Sequence, residues 1–520
     1  MTPFAAPVDD MMLTLRVAGA DALPDFDADL AAEIATAFGR LATEVLHPLN
    51  AAGDRAGCRL ENGRVRMPPG FDGAYRALCE DGWIGLSAPE EHGGQGLSGI
   101  ELALVSEIFS GANHALQMVT GLVPGAIRTL LAHGNEAQVA SHVPRLASGA
   151  ALATMALTEP GAGSDLSRIR TKAVQEGDAW RLTGEKIFIS GGDQDLSDGI
   201  LHLVLARTSD DGLKGLSLFL VDGRVTVTRI EEKMGLHASP TCQIAFDGDR
   251  AELVGREGGG LAAMFTMMNH ARIDVALQGT AHAARAWDVA RAYAEARLQG
   301  RAGDRDARLI DHADVRRMVD RIDADALMAR AVAHLALVTL ERGDAPDLVE
   351  ALTPLAKIRG SEAGIAATSE AMQVLGGYGY LAEYGLEQGW RDARIAAIYE
   401  GANGIHARAL ATRGIRTGAI DALTDWLSAR LDDDLRGLWQ DAVATVRGAD
   451  DPAALAHDFA ALAGEMMTLA LAPAFADHAG DHPDPDRIRR VAAEAARRDR
   501  AAAAGHAMLL TPAVRRAVDA

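Results

Sequence analysis

The hydrophobic period of the chain changes twice. Over residues 1–150 apolar positions recur at helical spacing, as in "DADLAAEIATAFGRLATEVLHPLNA". A glycine-rich loop, "GWIGLSAPEEHGGQGLSG", precedes "IELALVSEIFSGA", where the helical pattern resumes. From about Trp180 the pattern shortens to segments rich in Leu, Val, Ile and Thr: "WRLTGEKIFIS", "GILHLVLARTS", "GLSLFLVDG", "TVTRIEEKMGL" and "CQIAFDGD". Glycine and aspartate punctuate them, which predicts an antiparallel sheet or small barrel and not strands alternating with helices. After Gly260 the helical period returns. Val315, Met318, Val319, Ile322, Ala326, Ala329, Ala333 and Leu337 form one apolar stripe on a long helix. "LAKIRGSEAGIAATSEAMQVLGG" predicts another, ending in glycines. Beyond about Gly418 lies a further helical segment with a Pro/Asp-rich break, "DHPDPD".

The predicted class is α+β, mostly α. Its expected parts are an N-terminal extension (1–34), an N-terminal helical domain (35–153), a central antiparallel β-domain (154–262), a C-terminal helical bundle (263–417) and an extra helical region (418–520). A length of 520 residues suits several domains or one multi-lobed subunit, and a hydrophobic fraction of 48 % suits a large core. Abundant alanine favours helices.

Charge narrows the partners. A formal net charge of -21 disfavours DNA, RNA and anionic lipid. Cys58, Cys79 and Cys242 are odd in number and far apart, so neither a disulfide framework nor a metal site is expected, and a reducing cytoplasm fits. The opening "MTPFAAPVDDMMLTLRVAGA" lacks the basic and apolar regions of a signal peptide. No apolar stretch reads as long enough to span a bilayer.

Candidate chemistry comes from short motifs, each of which alone has a plain structural reading. "MALTEPGAGSDLSRIR" (155–170) is a small-residue loop at the helix-to-sheet boundary. Thr158 and Ser164 offer hydroxyls there, and Gly161 and Gly163 bare the backbone to an anionic or heteroaromatic ligand; an ordinary turn at Pro160 is the alternative. In "GEKIFISGG" (184–192), alternation puts Phe188 and Ser190 on one strand face, able to back a flat ring and bond its edge. "ARLQGR" (296–301) reads as a helix end carrying Arg297, Gln299 and Arg301, either dipole partners or phosphate ligands. "QVLGGYGY" (373–380) has the wrong spacing for a dinucleotide fingerprint. "RDARIAAIYEG" ends in Glu400 after an apolar run, Ile395–Tyr399. That carboxylate is either a helix-start acid or a base held in a dry pocket. Arg391, Asp392 and Arg394 read as structural ion pairs. "RIRRVAAEAARRDR" (487–500) reads as a solvated helix face, and His237 receives no chemistry.

In this order and spacing the five motifs resemble the acyl-CoA dehydrogenase family over most of residues 35–415. The opening "APVDDMMLTL", the "FISGGDQDLSDGILHLVLAR" stretch and the helical tail are similar to a longer subgroup. That subgroup includes 3-methylmercaptopropionyl-CoA dehydrogenase-like proteins. The resemblance implies an N-terminal helical domain, a β-domain and a C-terminal four-helix bundle, with FAD held non-covalently. It implies flavin contacts from Met155, Leu157, Thr158, Gly163 and Ser164, and from Phe188, Ile189 and Ser190, where Phe and Ser replace the usual Trp and Thr. Arg297, Gln299, Gln373 and Gly377 correspond to positions that hold the adenine and pyrophosphate from a neighbouring subunit, which implies a homo-oligomer, dimer or tetramer. Ala402 and Gly404 correspond to a further flavin-contacting stretch, and Ala402 lacks the hydroxyl of the usual Thr.

By the same resemblance Glu400 is the catalytic base. Ser164, Arg272, Glu400 and Gly401 contact the acyl-CoA substrate, and no metal is involved. Some family members carry the base just before the arginine matching Arg272; that position is Ala271 here. The implied reaction removes a Cα proton and a Cβ hydride to give a trans-2-enoyl-CoA, as in β-oxidation, with electrons passed to an electron-transfer flavoprotein. Apolar neighbours would raise the carboxyl towards a useful range for a base. An acyl-CoA oxidase using O2 directly, and a non-catalytic flavoprotein of the same superfamily, remain alternatives at this level. The latter is disfavoured by the acidic charge and by the retained Glu400.

Overall fold

The computed structural model describes residues 3–511. The chain forms two compact units. One comprises residues 41–102 and 112–271, the other residues 1–40, 103–111 and 272–520.

The first unit carries the sheet. A small hairpin, β1 (Arg59–Glu61) with β2 (Arg64–Arg66), precedes it. The main strands are β3 (Ala151–Ala156), β4 (Lys172–Glu176), β5 (Ala179–Ser190), β6 (Gly199–Arg207), β7 (Leu216–Asp222), β8 (Thr226–Ile230) and β9 (Thr241–Val254). Most pairings are antiparallel. β6 meets β7, β7 meets β9, β9 meets β5, β5 meets β4, and a single pairing of Lys172 with Arg207 returns β4 to β6, so the sheet closes on itself. β3 joins in parallel, Ala151 opposite Gly199 through Ala156 opposite Val204, making the sheet mixed. The five strand segments read from the sequence correspond to β5–β9; the sequence pattern does not single out β3 or β4. β6 is buried along nearly its whole length, which explains an apolar run broken only by the buried His202.

The second unit is helical. Its principal helices are α1 (Val8–Val17), α2 (Gly260–Ala296, within the unit from Arg272), α3 (Ala313–Arg342), α4 (Pro346–Leu375), α5 (Asn403–Ala409), α6 (Ala456–His478) and α7 (Pro485–Leu510). The stripe predicted on α3 faces the core: Met318, Val319, Ile322, Ala326 and Ala329 pack with Ala283, Ala286, Val289 and Ala290 of α2 and Ala363, Ala367 and Ala371 of α4. Small residues let α2 and α4 touch backbone to backbone. A Cβ on Gly279 would sit 2.1 Å from the Gly360 carbonyl, and one on Gly360 would sit 2.2 Å from the Ala276 carbonyl. This close approach brings Arg272 on α2 and Lys357 on α4 to the same part of the bundle.

Three readings change. The Arg487–Arg500 run is a solvated face only in part: Arg489, Arg490, Arg497 and Arg500 are exposed, but Arg487 is 8 % exposed and Asp499 is 3 % exposed. Arg487 binds Asp10 and Asp323, while Arg498 binds Asp325 and Asp499. The helical segment Pro452–Asp481 is in fact long and apolar enough to cross a membrane, but 78 % of its apolar window is buried inside the protein, as a core helix would be. "ARLQGR" does not end a helix as a block. α2 stops at Ala296, and Gln299 and Arg301 lie on β10 (Leu298–Ala302), paired with β11 (Arg305–Arg308).

Candidate active site

The candidate residues fall into two sets, one per unit. In the sheet unit the loop after β3 is pinned by a buried ion pair. Lys186 on β5 donates to Glu159 Oε1 and to the Leu157 carbonyl, both at 2.8 Å. Glu159 in turn accepts from the Arg170 and Thr171 backbone N–H groups at 2.6 and 3.0 Å. Burial opposes ionisation of Glu159, but Lys186 and these donors hold its carboxyl below the ordinary value. The Ile187 N–H donates to the Thr158 carbonyl at 2.9 Å, fixing Thr158 against the strand.

Around this anchor the predicted residues divide. Leu157 and Ile189 are buried, Met155, Thr158 and Ser190 are half-buried, and Gly163 and Ser164 are exposed. Phe188 departs from the expected alternation with Ser190. The β5–β9 register shifts between Lys186 and Ile189, and Phe188 takes φ +59°, so its ring is turned out, 61 % exposed. A Cβ built on Gly161 or Gly163 meets nothing within 4 Å. An exposed aromatic face beside a bare, anchored loop with free hydroxyls fits a flat heteroaromatic ring such as a flavin.

In the helical unit, Arg297 lies 5.5 Å over the Tyr378 ring, which brings the "ARLQGR" and "QVLGGYGY" motifs together. Arg297, Gln299, Gln373 and Gly377 are all exposed there, and His312 bonds the Gln299 carbonyl at 2.7 Å. An exposed guanidinium and two amides suit an anionic nucleotide portion.

Glu400 is not a helix-start acid. It precedes the N-cap of α5, Ala402, and the first turn of α5 holds no acid. Its φ is +54°, one of four positive values outside glycine among the described residues, with Asn62, Phe188 and Leu236. The left-handed region costs a side-chain-bearing residue roughly 1–2 kcal/mol. Gly401 follows at φ +92°, and a Cβ there would lie 2.7 Å from His406 Nε2. The run Ile395–Tyr399 is not a uniform wall: Ala396 is buried, but Ile398 is 51 % exposed. Even so, Glu400 Oε2 is sealed from solvent and has no hydrogen-bond partner. Burial raises its carboxyl above the ordinary value; Arg272 and Lys357 oppose that rise and Asp274 adds to it. Burial likewise lowers Lys357 to about 8.

Sequence reasoning missed Lys357, His406, Asp274 and Gln278. A lysine inside the apolar frame of "LAKIRGSEAG" was the available signal for the first, since a fully buried lysine needs a partner. Ala402 is half-buried, and Gly404 is exposed with open space at its Cβ position.

Family models for the N-terminal, middle and C-terminal domains of acyl-CoA dehydrogenases match residues 31–150, 154–248 and 258–415. The 3-methylmercaptopropionyl-CoA dehydrogenase of Ruegeria pomeroyi is 39 % identical over 448 residues, covering 79 % of this chain and 76 % of the relative. The broad-specificity linear acyl-CoA dehydrogenase FadE5 of Mycobacterium tuberculosis is 34 % identical, covering 74 % and 69 %. The solved structure of an acyl-CoA dehydrogenase complexed with FAD from Bacillus anthracis is 22 % identical and shares the fold at a TM-score of 0.77, over 94 % of this chain and 88 % of that one. Three domain models in family order, close relatives over most of the chain and a shared architecture give one assignment: the chain belongs to the acyl-CoA dehydrogenase family, FAD-dependent oxidoreductases acting on acyl-CoA.

Proposed function

We propose that this enzyme converts an acyl-CoA to its trans-2-enoyl-CoA, with Glu400 removing the Cα proton. The observation that carries this reading is the sealed, unpartnered Oε2 on a left-handed turn. A carboxylate in water is too weak a base for a thioester α-carbon. Burial raises its proton affinity, and a missing hydrogen-bond donor leaves the oxygen free to take a proton. The Glu400 backbone N–H is the proposed donor to the thioester carbonyl, where negative charge develops as the proton leaves. Gly401, whose missing side chain admits the His406 ring, is proposed to touch the substrate with Arg272, which balances the charge of the base.

FAD, when bound, supplies the hydride acceptor at N5. Met155, Leu157, Thr158, Gly163, Ser164, Phe188, Ile189 and Ser190 are the residues proposed to hold its ring system. Arg297, Gln299, Gln373 and Gly377 are proposed to hold its nucleotide portion across a homo-oligomer contact, and Ala402 and Gly404 to complete the set. Ser164 is proposed to touch the CoA ester as well. An electron-transfer flavoprotein is the proposed acceptor, and a cytoplasmic setting and a place in fatty-acid β-oxidation belong to the same proposal. The names of the relatives at 39 % and 34 % identity support an unbranched acyl chain, with or without a thioether, as substrate.

Anaerobic titration of the yellow holoenzyme with acyl-CoAs of increasing length tests this. Bleaching of the flavin band by one chain class in the wild type, absent in Glu400→Gln with flavin content unchanged, is the expected result. Normal bleaching and turnover in Glu400→Gln would overturn the base assignment.

A further inference from the structure

We infer that Lys357, His406, Asp274 and Gln278 are positioning residues for Glu400: they lock the left-handed turn that carries it and place its carboxylate between opposed charges. This rests on Glu400 being the base.

The turn is held from both sides by this chain's own side chains. Lys357 Nζ, fully buried, donates to the Gly401 carbonyl at 2.7 Å and to Asn403 Oδ1 at 2.9 Å. Asn403 is itself fixed, donating to Ser361 Oγ and Glu362 Oε1, each at 3.1 Å. The His406 ring nitrogen Nε2 lies 3.0 Å from the Glu400 carbonyl. Burial pushes His406 down to about 4, so its ring is neutral near pH 7 and Nε2–H is the donor. Two consecutive carbonyls, of Glu400 and Gly401, are thus capped, which fixes the peptides on which a strained φ depends.

On the N-terminal side a polar chain secures Tyr399, the residue before the base. The Tyr399 hydroxyl donates to Gln278 Oε1, Gln278 Nε2 donates to Asp274 Oδ2 at 2.9 Å, and the Ser106 hydroxyl donates to Asp274 Oδ1. The charged groups around Glu400 are therefore Arg272 and Asp274 from α2 and Lys357 from α4, with Glu362 acting on Lys357 and Arg413 on Arg272. Lys357 and Asp274 act on the carboxylate with opposite signs.

That opposition supplies the test. In the holoenzyme, Lys357→Met removes a cation, makes the carboxylate harder to form, and moves the acidic limb of the kcat profile to higher pH by about one unit. Asp274→Asn removes an anion and moves that limb to lower pH. Flavin content and KM change little, while kcat falls in Lys357→Met because the turn loses a cap. His406→Gln, which keeps a donor, is expected to retain more activity than His406→Leu. Loss of packing alone would not move the limb in opposite directions. The inference falls if the limb stays in place or moves the same way in both variants while Glu400→Gln is inactive. If Glu400→Gln is active, the base assignment falls first. Should Lys357→Met fail to fold, the Asp274→Asn shift and the His406 pair decide alone.

Discussion

Two buried clusters of charge within the helical unit are built on opposite plans. In the first, Arg487 lies between two carboxylates. It donates to both oxygens of Asp10 at 2.8 and 3.0 Å and to both oxygens of Asp323 at 2.8 and 2.7 Å, with its guanidinium 3.9 Å over the Trp287 ring. His482 adds a contact to Asp10 at 3.1 Å. In the second, Glu400 keeps one oxygen sealed and unpartnered, while Lys357 and His406 donate to the backbone carbonyls of Gly401 and Glu400. Burying a charge is costly unless it is paired. A cluster with every oxygen satisfied is a structural joint, whereas one that leaves an acceptor empty stores the capacity to take a proton.

The contrast is broken most strongly at Glu400. Glu400→Gln is expected to lower turnover by at least 10²–10⁴-fold, the usual contribution of a general base, while thermal stability holds or rises slightly. Turnover and a melting curve on one preparation check both halves. Next in size, Arg487→Met should do the reverse. It leaves Asp10 and Asp323 without the guanidinium that bridges them, at a cost of about 3–5 kcal/mol in stability, with a lowered Tm and nearly normal kcat per folded flavin. Equal damage to kcat in Arg487→Met would erase the distinction between joint and base.

A smaller effect is expected at Phe188, which also takes a positive φ but is exposed. Because its ring is 61 % exposed, Phe188→Ala should leave the fold nearly untouched. Its FAD Kd should rise by about 5–10-fold, roughly the worth of one aromatic contact. Fluorescence titration of apoprotein reads this. The smallest effect is a pH slope. The hydrogen bond to Asp10 raises His482 above its ordinary value of 6.5. The stabilisation it provides is therefore complete below about pH 6.5 and lost as pH climbs through the raised value. Tm measured across that window should fall in the wild type and stay flatter in His482→Gln.

What the sequence made legible follows from range. The stripe from Val315 to Leu337 and the strand windows from Trp180 to Asp249 are set by neighbours a few positions away, and periodicity reads such patterns directly. Glu400 was legible because five motifs agree in order, while its alternative as a helix-start acid depended on where α5 begins, which sequence places poorly. The outward turn of Phe188 was hidden because a bulge is fixed by the facing strand, here β9. Arg487 was misread for a related reason. Arginines spaced like a surface face look solvated until their partners are known, and Asp323 lies 164 positions away. Lys357 was overlooked in an apolar helix because its acceptor, the Gly401 carbonyl, is a backbone atom that no composition reveals.

The Arg487 joint also sets a schedule. Asp10 and Arg487 are 477 positions apart. At about 5–20 residues per second a ribosome needs roughly 25–95 s to pass from one to the other. Throughout that interval the nascent chain holds Asp10 without its cation, and over the last 164 positions Asp323 is present and unpaired by it as well. Final closure of this unit therefore waits on the last part of translation, and until then holding chaperones have a carboxylate-lined seam still open to water.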